Sequence, residues 1–207
     1  MDLMEIYEKM GLSRAVYQRG EEVIAALADR FAHIDQVAEF NQAKVLAAMQ
    51  EHMIGANHFA ATTGYGYDDD GRERLERVYA SVFHAEAALV RPQITCGTHA
   101  LTIALSANLL PGDEVLSPVG LPYDTLQEVI GIRPSPCSLA EYGVTYAQAD
   151  LTAEGKFDYD AIRAAINPRT KLITIQRSKG YATRPSFSVR EIGELIAFCK
   201  SVKPDVL

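Results

Sequence analysis

The chain has 207 residues, 48% of them hydrophobic and 23% charged, with 27 acidic against 20 basic side chains. That length suits one globular domain and is too short for two full-sized ones, and such a chain buries about 70% of the surface its unfolded form exposes. A net charge of −7 without a long Lys/Arg run argues against a grip on nucleic acid or on an anionic membrane surface.

No basic segment leads into an apolar run at Met1 to Met10, so no export leader is expected. From Glu21 to Glu51 neither proline nor glycine interrupts a helical pattern carried by Val23, Ile24, Leu27, Phe31, Ile34, Val37, Phe40, Val45, Leu46, Met49 and Met53. A kink near His33 to Asp35 is expected, and Gly55 is the expected end of this helical arm. The polar loop Thr62 to Gly71 follows, and Asp70 with Glu73 has the form of a capping box opening a helix through Leu75, Val78, Tyr79 and Val82. The acidic triplet Asp68 to Asp70 reads as a solvated helix start rather than a metal site, since no further ligand follows at loop spacing.

From Ala87 the pattern changes to strands alternating with helices. Ala88 to Val90 and Gln93 to Thr95 are short strand candidates, and His99 to Leu110 is apolar and helical. The longest stretch without Asp, Glu, Lys or Arg, Pro92 to Gly112, contains Thr98, His99, Thr102, Ser106 and Asn108. It reads as buried elements rather than a membrane span. After the turn at Pro111-Gly112-Asp113 the expected elements are a strand at Glu114 to Ser117, a helix at Asp124 to Ile130 and a strand at Val144 to Gln148. A helix at Tyr159 to Ile166, a strand at Lys171 to Ile175 and a helix at Val189 to Val202 complete them. This alternation predicts an α/β fold with a mostly parallel sheet covered on both faces. Cys96, Cys137 and Cys199 are far apart and lack metal spacing, so reduced thiols in a cytoplasmic protein and no metal are the expectation. The last helix stops before Lys203-Pro204, and Asp205-Val206-Leu207 opens another buried strand, which predicts a truncated chain.

Two places can carry chemistry. Cys96-Gly97-Thr98-His99-Ala100 hands a strand candidate over to an apolar helix. Backbone N–H groups there point outward, Gly97 allows close approach, and the Thr98 hydroxyl can add a bond to a phosphate oxygen. A plain structural helix start explains the same residues. Tyr123 lies beyond the Glu114 to Ser117 strand, where open α/β sheets place ligands. Its ring can stack on a planar group or simply half-bury in a loop.

Five ordered segments extend this reading: Gly64-Tyr65-Gly66-Tyr67-Asp68, Ala87 to Gln93, Cys96 to Ala100, Pro122-Tyr123-Asp124-Thr125 and Ile175 to Tyr181. Together they resemble the methionine gamma-lyase family, often labelled aluminium resistance proteins, across essentially the whole chain. The resemblance implies a pyridoxal 5'-phosphate protein of the aspartate-aminotransferase type (fold type I), related to cystathionine beta- and gamma-lyases. Residues 1–56 would form an N-terminal helical segment and 57–207 an incomplete cofactor-binding large domain. Gly97, Thr98 and His99 match the loop holding the cofactor phosphate, and Tyr123 matches the ring-stacking position. Tyr65 and Tyr67 fall where related lyases reach the phosphate from a neighbouring subunit, with Tyr67 in place of an arginine. Cys96 replaces the usual serine, and Lys179 stands where arginine is more frequent.

The resemblance also implies a small amino-acid substrate of the Cys/Met type, elimination of its β- or γ-substituent, and a homo-oligomer, dimer or tetramer, for the full-length form. The aspartate that pairs with the pyridine nitrogen and the Schiff-base lysine would follow Leu207. No catalytic residue is therefore expected in this chain, and it is expected to be inactive alone. The competing reading is a non-catalytic docking or assembly module, or a relic. A nucleotide-binding domain would need a Gly-x-Gly-x-x-Gly or Walker loop, which the sequence lacks.

Overall fold

A computed structural model describes residues 3–63, 65 and 69–207. The chain divides into two units, Met1–Pro92 and Gln93–Leu207.

The first unit is helical. It contains α1 (Leu3–Lys9), α2 (Arg14–Ala26), α3 (Ala28–Glu51) and α4 (Asp70–Phe83), with a single 3-10 turn at Ala56–Phe59 before α4. Ser13 caps α2 by accepting a hydrogen bond from the Val16 N–H. Helix α3 runs unbroken through His33 to Asp35, where a kink is expected. The helix breaks instead at Leu27, whose N–H is shared between the Val23 and Ile24 carbonyls at 3.1 Å each. Nor does Gly55 end the arm. The Met53 N–H bonds the Gln50 carbonyl and the Ile54 N–H bonds the Met49 carbonyl, the paired bonds of a Schellman stop, with Met53 at φ 52° in the position glycine usually takes. Gly55 then opens the 3-10 turn.

The expected capping box at Asp70 and Glu73 is also replaced. Asp70 already lies inside α4, and its carboxylate accepts from Arg74 Nε at 2.7 Å and meets His58 Nε2 at 3.0 Å. Arg74 hydrogen-bonded to Asp70 holds that carboxyl below its ordinary range, against the opposing effect of burial, with His58 adding to the lowering. Arg74 also donates to the His52 carbonyl at 2.7 Å, and His52 Nε2 lies 2.7 Å from Ser81 Oγ. These bonds and the packing of α3 on α4 place α4 with the arm, within the unit Met1–Pro92. Along α2 and α3 the apolar residues Ile24, Phe31, Ile34 and Phe40 are exposed, and Ala48 is the one buried residue among those described in these two helices.

Ala88 to Val90 is not a strand. The Val90 N–H donates to Glu76 Oε1 at 2.9 Å and Arg91 pairs with Glu76 Oε2 at 3.0 Å, so a side chain takes the backbone donor a sheet would need.

The second unit is a three-stranded, wholly parallel sheet in the order β2-β1-β3. Its elements are α5 (Gly97–Ser106), β1 (Glu114–Ser117), α6 (Asp124–Ile130), β2 (Thr145–Gln148), α7 (Tyr159–Ala165), β3 (Thr170–Ile173) and α8 (Val189–Val202). Gln93 to Thr95 is again not a strand, because the Thr95 N–H points to His99 Nδ1 at 3.3 Å. Helix α5 begins two residues earlier and ends four earlier than its apolar pattern predicts, and β3 stops at Ile173 rather than Ile175. Val115 pairs with Tyr146 on one side and Leu172 on the other. These residues pack with Leu105 of α5 and with Leu126 and Ile130 of α6. On the other face Ile173 packs with Ile162 of α7 and with Leu195 and Cys199 of α8. Burying one such leucine fully stabilises by about 2 kcal/mol. The sheet is thus covered by helices on both faces.

Ser188 and Glu191 form a true capping box for α8. Beyond α8, Leu207 donates its N–H to the Lys171 carbonyl at 3.0 Å and accepts from the Ile173 N–H at 2.9 Å, so the segment expected to open a strand does pair along β3. Cys96, Cys137 and Cys199 are all free thiols. Among the described residues no helix is long and apolar enough to cross a membrane, and no cluster of three metal-ligating side chains occurs.

Candidate functional site

The candidate residues of the second unit lie at the carboxyl ends of adjacent parallel strands, β1 and β3, beside the start of α5. That is the crevice where open α/β sheets bind ligands. The path from β1 is set by short bonds. Ser117 Oγ donates to the Gly120 carbonyl at 2.6 Å, and the Gly120 N–H donates to the Ala149 carbonyl at 2.9 Å. The chain then turns through Leu121 and Pro122 to Tyr123, which immediately precedes α6.

Cys96 caps α5. Its backbone is extended and its Sγ accepts from the His99 N–H at 3.4 Å, the role a serine oxygen ordinarily takes. The N–H groups of Gly97 and Thr98, the first two helical residues, have no carbonyl one turn before them and remain available to an anion. A Cβ added at Gly97 would meet nothing within 4 Å, so the space before this helix start is open. The Thr98 hydroxyl lies 3.0 Å from the Thr125 hydroxyl of α6. This contact brings the two helix starts together and leaves either oxygen free to turn its proton toward a ligand. The His99 ring is turned back to the Thr95 N–H and is only partly buried.

Tyr123 is 39% exposed. Its N–H donates to Gln176 Oε1 at 2.9 Å, a bond to the segment that follows β3. Its ring lies 5.9 Å from that of Tyr181 at an interplanar angle of 32°. The hydrogen-bonding Tyr181 phenol beside it raises the Tyr123 phenol above its ordinary value. Tyr123, Gln176, Lys179, Tyr181 and Arg184 line a cavity of about 300 Å³. The Thr98 and Thr125 hydroxyls line a separate cavity of about 500 Å³; backbone N–H groups and hydroxyls of this kind suit a phosphate, and the half-exposed Tyr123 ring suits a planar group.

Tyr65 belongs to the first unit and is 83% exposed. Tyr67 lies outside the described residues. Thr125, Gln176 and Tyr181 lie in segments that carry the family resemblance, which sets Arg177 to Tyr181 near the cofactor ring; Arg184 lies outside all of them. Gln176 had two signals, its place in the Ile175 to Tyr181 segment and its position directly after a β-branched strand. Arg184 had none, since its importance rests on carbonyls it meets only after folding.

Comparison with known proteins gives a consistent picture. The family model for methionine gamma-lyase matches residues 16–207. The uncharacterised protein YnbB of Bacillus subtilis is 50% identical over 188 residues, which cover 90% of this chain and 45% of that protein. Among solved structures, a carbon-sulfur lyase involved in aluminum resistance from Clostridium novyi is 38% identical with a TM-score of 0.93, covering 99% of this chain and 49% of the other. A Bacillus cereus protein is 50% identical with a TM-score of 0.89, covering 93% and 48%. The chain spans about half the length of these relatives.

Proposed function

Because the chain belongs to the methionine gamma-lyase family, we propose that it supplies the phosphate-holding and ring-facing part of a pyridoxal-phosphate-dependent carbon–sulfur lyase acting on a small amino acid. The observation that carries this reading is the Thr98–Thr125 hydroxyl contact at 3.0 Å, which puts the anion-binding start of α5 against the segment bearing Tyr123. When bound, the cofactor supplies the electron sink for cleavage at the substrate's α-carbon. The Gly97 and Thr98 N–H groups and the Thr98 hydroxyl hold the phosphate and so fix the reach of the ring. Tyr123 orients the ring and keeps water off one face. By the family resemblance, the positions of Tyr65 and Tyr67 are assigned to the phosphate of a neighbouring copy in a cytoplasmic homo-oligomer, a role that rests on sequence alone. The complete elimination is assigned to the longer family form, whose length this chain spans by about half.

The test is titration of the purified chain with pyridoxal phosphate, followed by the change in cofactor absorbance. Thr98→Ala removes a hydrogen bond to a charged oxygen and weakens binding about tenfold or more, and Tyr123→Ala weakens it further while Tyr123→Phe does not. Absence of saturable binding overturns the proposal and favours a docking module. Release of thiol and keto acid by this chain alone overturns the assignment of turnover to the longer form.

A further inference from the structure

The segment after β3 contains an arginine, Arg184, whose guanidinium is tied to backbone carbonyls. Arg184 Nη2 donates to the Gln176 carbonyl at 3.0 Å and to the Ser178 carbonyl at 2.9 Å, and Nη1 donates to the Pro185 carbonyl at 3.0 Å. Its guanidinium stands over the Phe187 ring, 4.6 Å from the centroid. The planar fork therefore gathers both ends of the 176–184 loop, a geometry that the ammonium of lysine does not reproduce. Gln176, held in this way, spends its own side chain twice: Oε1 accepts from the Tyr123 N–H at 2.9 Å and Nε2 donates to the Ser178 carbonyl at 3.0 Å. The turn between Lys179 and Ala182, closed by a 2.9 Å backbone bond, then presents Gly180 and Tyr181 to Tyr123. Gly180 has φ +54°, and a Cβ there would stand 3.3 Å from Tyr123 Cδ2. A side chain at that position would press on the ring, so the loop comes this close only through glycine.

The outcome is an aromatic side chain kept beside Tyr123 with almost no burial of its own, since Tyr181 is 91% exposed. An exposed tyrosine gains little by packing. A loop this heavily tied to carry one is explained by what the ring meets when the cavity fills.

We propose that Tyr181 is a second aromatic wall of the slot for the planar cofactor ring, and that Arg184 is the positioning residue that fixes it there. This inference rests on the cofactor reading above and deepens it. Tyr123 contributes one contact to a planar ligand; Tyr181, its ring centre 5.9 Å away and too near to admit a ring between them, contributes a second beside the first. A second aromatic contact of this kind strengthens binding about three- to tenfold.

The experiment compares the parent with Tyr181→Phe, Tyr181→Ala and Arg184→Lys. Each is titrated with pyridoxal phosphate and with inorganic phosphate, and circular dichroism in the cofactor absorption band reports how rigidly the ring is held. The expected result is near-parent affinity for Tyr181→Phe and a three- to tenfold loss for Tyr181→Ala and for Arg184→Lys. The induced dichroism of the last two is reduced, and inorganic phosphate affinity is unchanged in all. Equal loss of phosphate and pyridoxal phosphate affinity overturns the inference, because the loop then acts on the α5 start. Affinities within twofold of the parent in both Tyr181→Ala and Arg184→Lys overturn the inference and leave the cofactor reading standing. A parent that binds no pyridoxal phosphate overturns both. Far-ultraviolet dichroism of each variant identifies a folding failure, and Tyr181→Ala, on an exposed loop, keeps the test decisive if Arg184→Lys unfolds.

Discussion

Glu114 opens β1, the central strand whose far end leads to Tyr123, and it is 5% exposed. Its Oε1 accepts from Asn167 Nδ2 at 2.7 Å and from Thr170 Oγ1 at 2.8 Å. Thr170 is itself fully buried, and these bonds hold the loop before β3 to the start of β1. Arg169 approaches Oε2 only to 3.8 Å with a side chain 62% exposed, so that ion pair contributes little. Replacing Glu114 by alanine leaves two donors without their acceptor, at about 1–3 kcal/mol each. The expected loss is therefore about 2–6 kcal/mol. Glu114→Gln keeps an acceptor oxygen and loses the charge, which limits the loss to about 1–2 kcal/mol. Urea unfolding followed by far-ultraviolet dichroism measures both, and with a slope of about 2 kcal/mol/M the alanine variant lowers the midpoint by about 1 M or more. An alanine variant within about 0.5 kcal/mol of the parent, the range of an unremarkable surface change, refutes the reasoning. A glutamine variant as damaging as alanine refutes the emphasis on the acceptor.

Two further outcomes follow from particular positions. Gly131 has φ +94°, and an added Cβ would stand 2.6 Å from Ala140 Cβ and 2.7 Å from Ser138 Oγ. Gly131→Ala combines backbone strain with overpacking and lowers stability by about 2–4 kcal/mol, measured as a drop in thermal midpoint. Burial pushes the half-buried Tyr146 phenol up to about 12, a rise that the Ser117 hydrogen bond opposes and the Asp150 charge assists. An unfolded tyrosine titrates at about 10, so between these values the unfolded chain releases a proton that the folded chain keeps. Stability therefore falls as pH rises through this window, by less than the full ~1.4 kcal/mol per pH unit because the group is partly solvated. Tyr146→Phe removes that slope, and urea midpoints on either side of the window test it.

The legible parts of the fold are those whose signals are local. β1, α6 and α8 have the limits the sequence predicts, since Pro111-Gly112-Asp113 precedes the first, Gly131 follows the second, and Pro204 lies beyond the third. The misread parts depend on partners distant in sequence or on unusual backbone. Ala88 to Val90 has the composition of a strand, but Glu76 takes its N–H. Gln93 to Thr95 loses its strand to the His99 ring. The sequence places the stop of α3 late, at Gly55, because Met53, not glycine, adopts the left-handed conformation there. At the site, Gly97, Thr98 and Tyr123 could be found as a helix start and a strand end. The bond from Tyr123 to Gln176 spans 53 residues, and no periodicity announces it.

The strand order has a consequence for how the chain acquires its shape. β1 is made first, yet it lies in the middle, and its partner Thr170 comes 56 residues after Glu114. Parallel neighbours cannot zip from a tight hairpin, so closure must wait for two long crossovers. During synthesis one edge of this Val-Leu strand stays open until the β2 segment has emerged, and the other until the β3 segment follows. Nascent chains of this protein are expected to need shielding over that interval, and to refold slowly and with loss when concentrated.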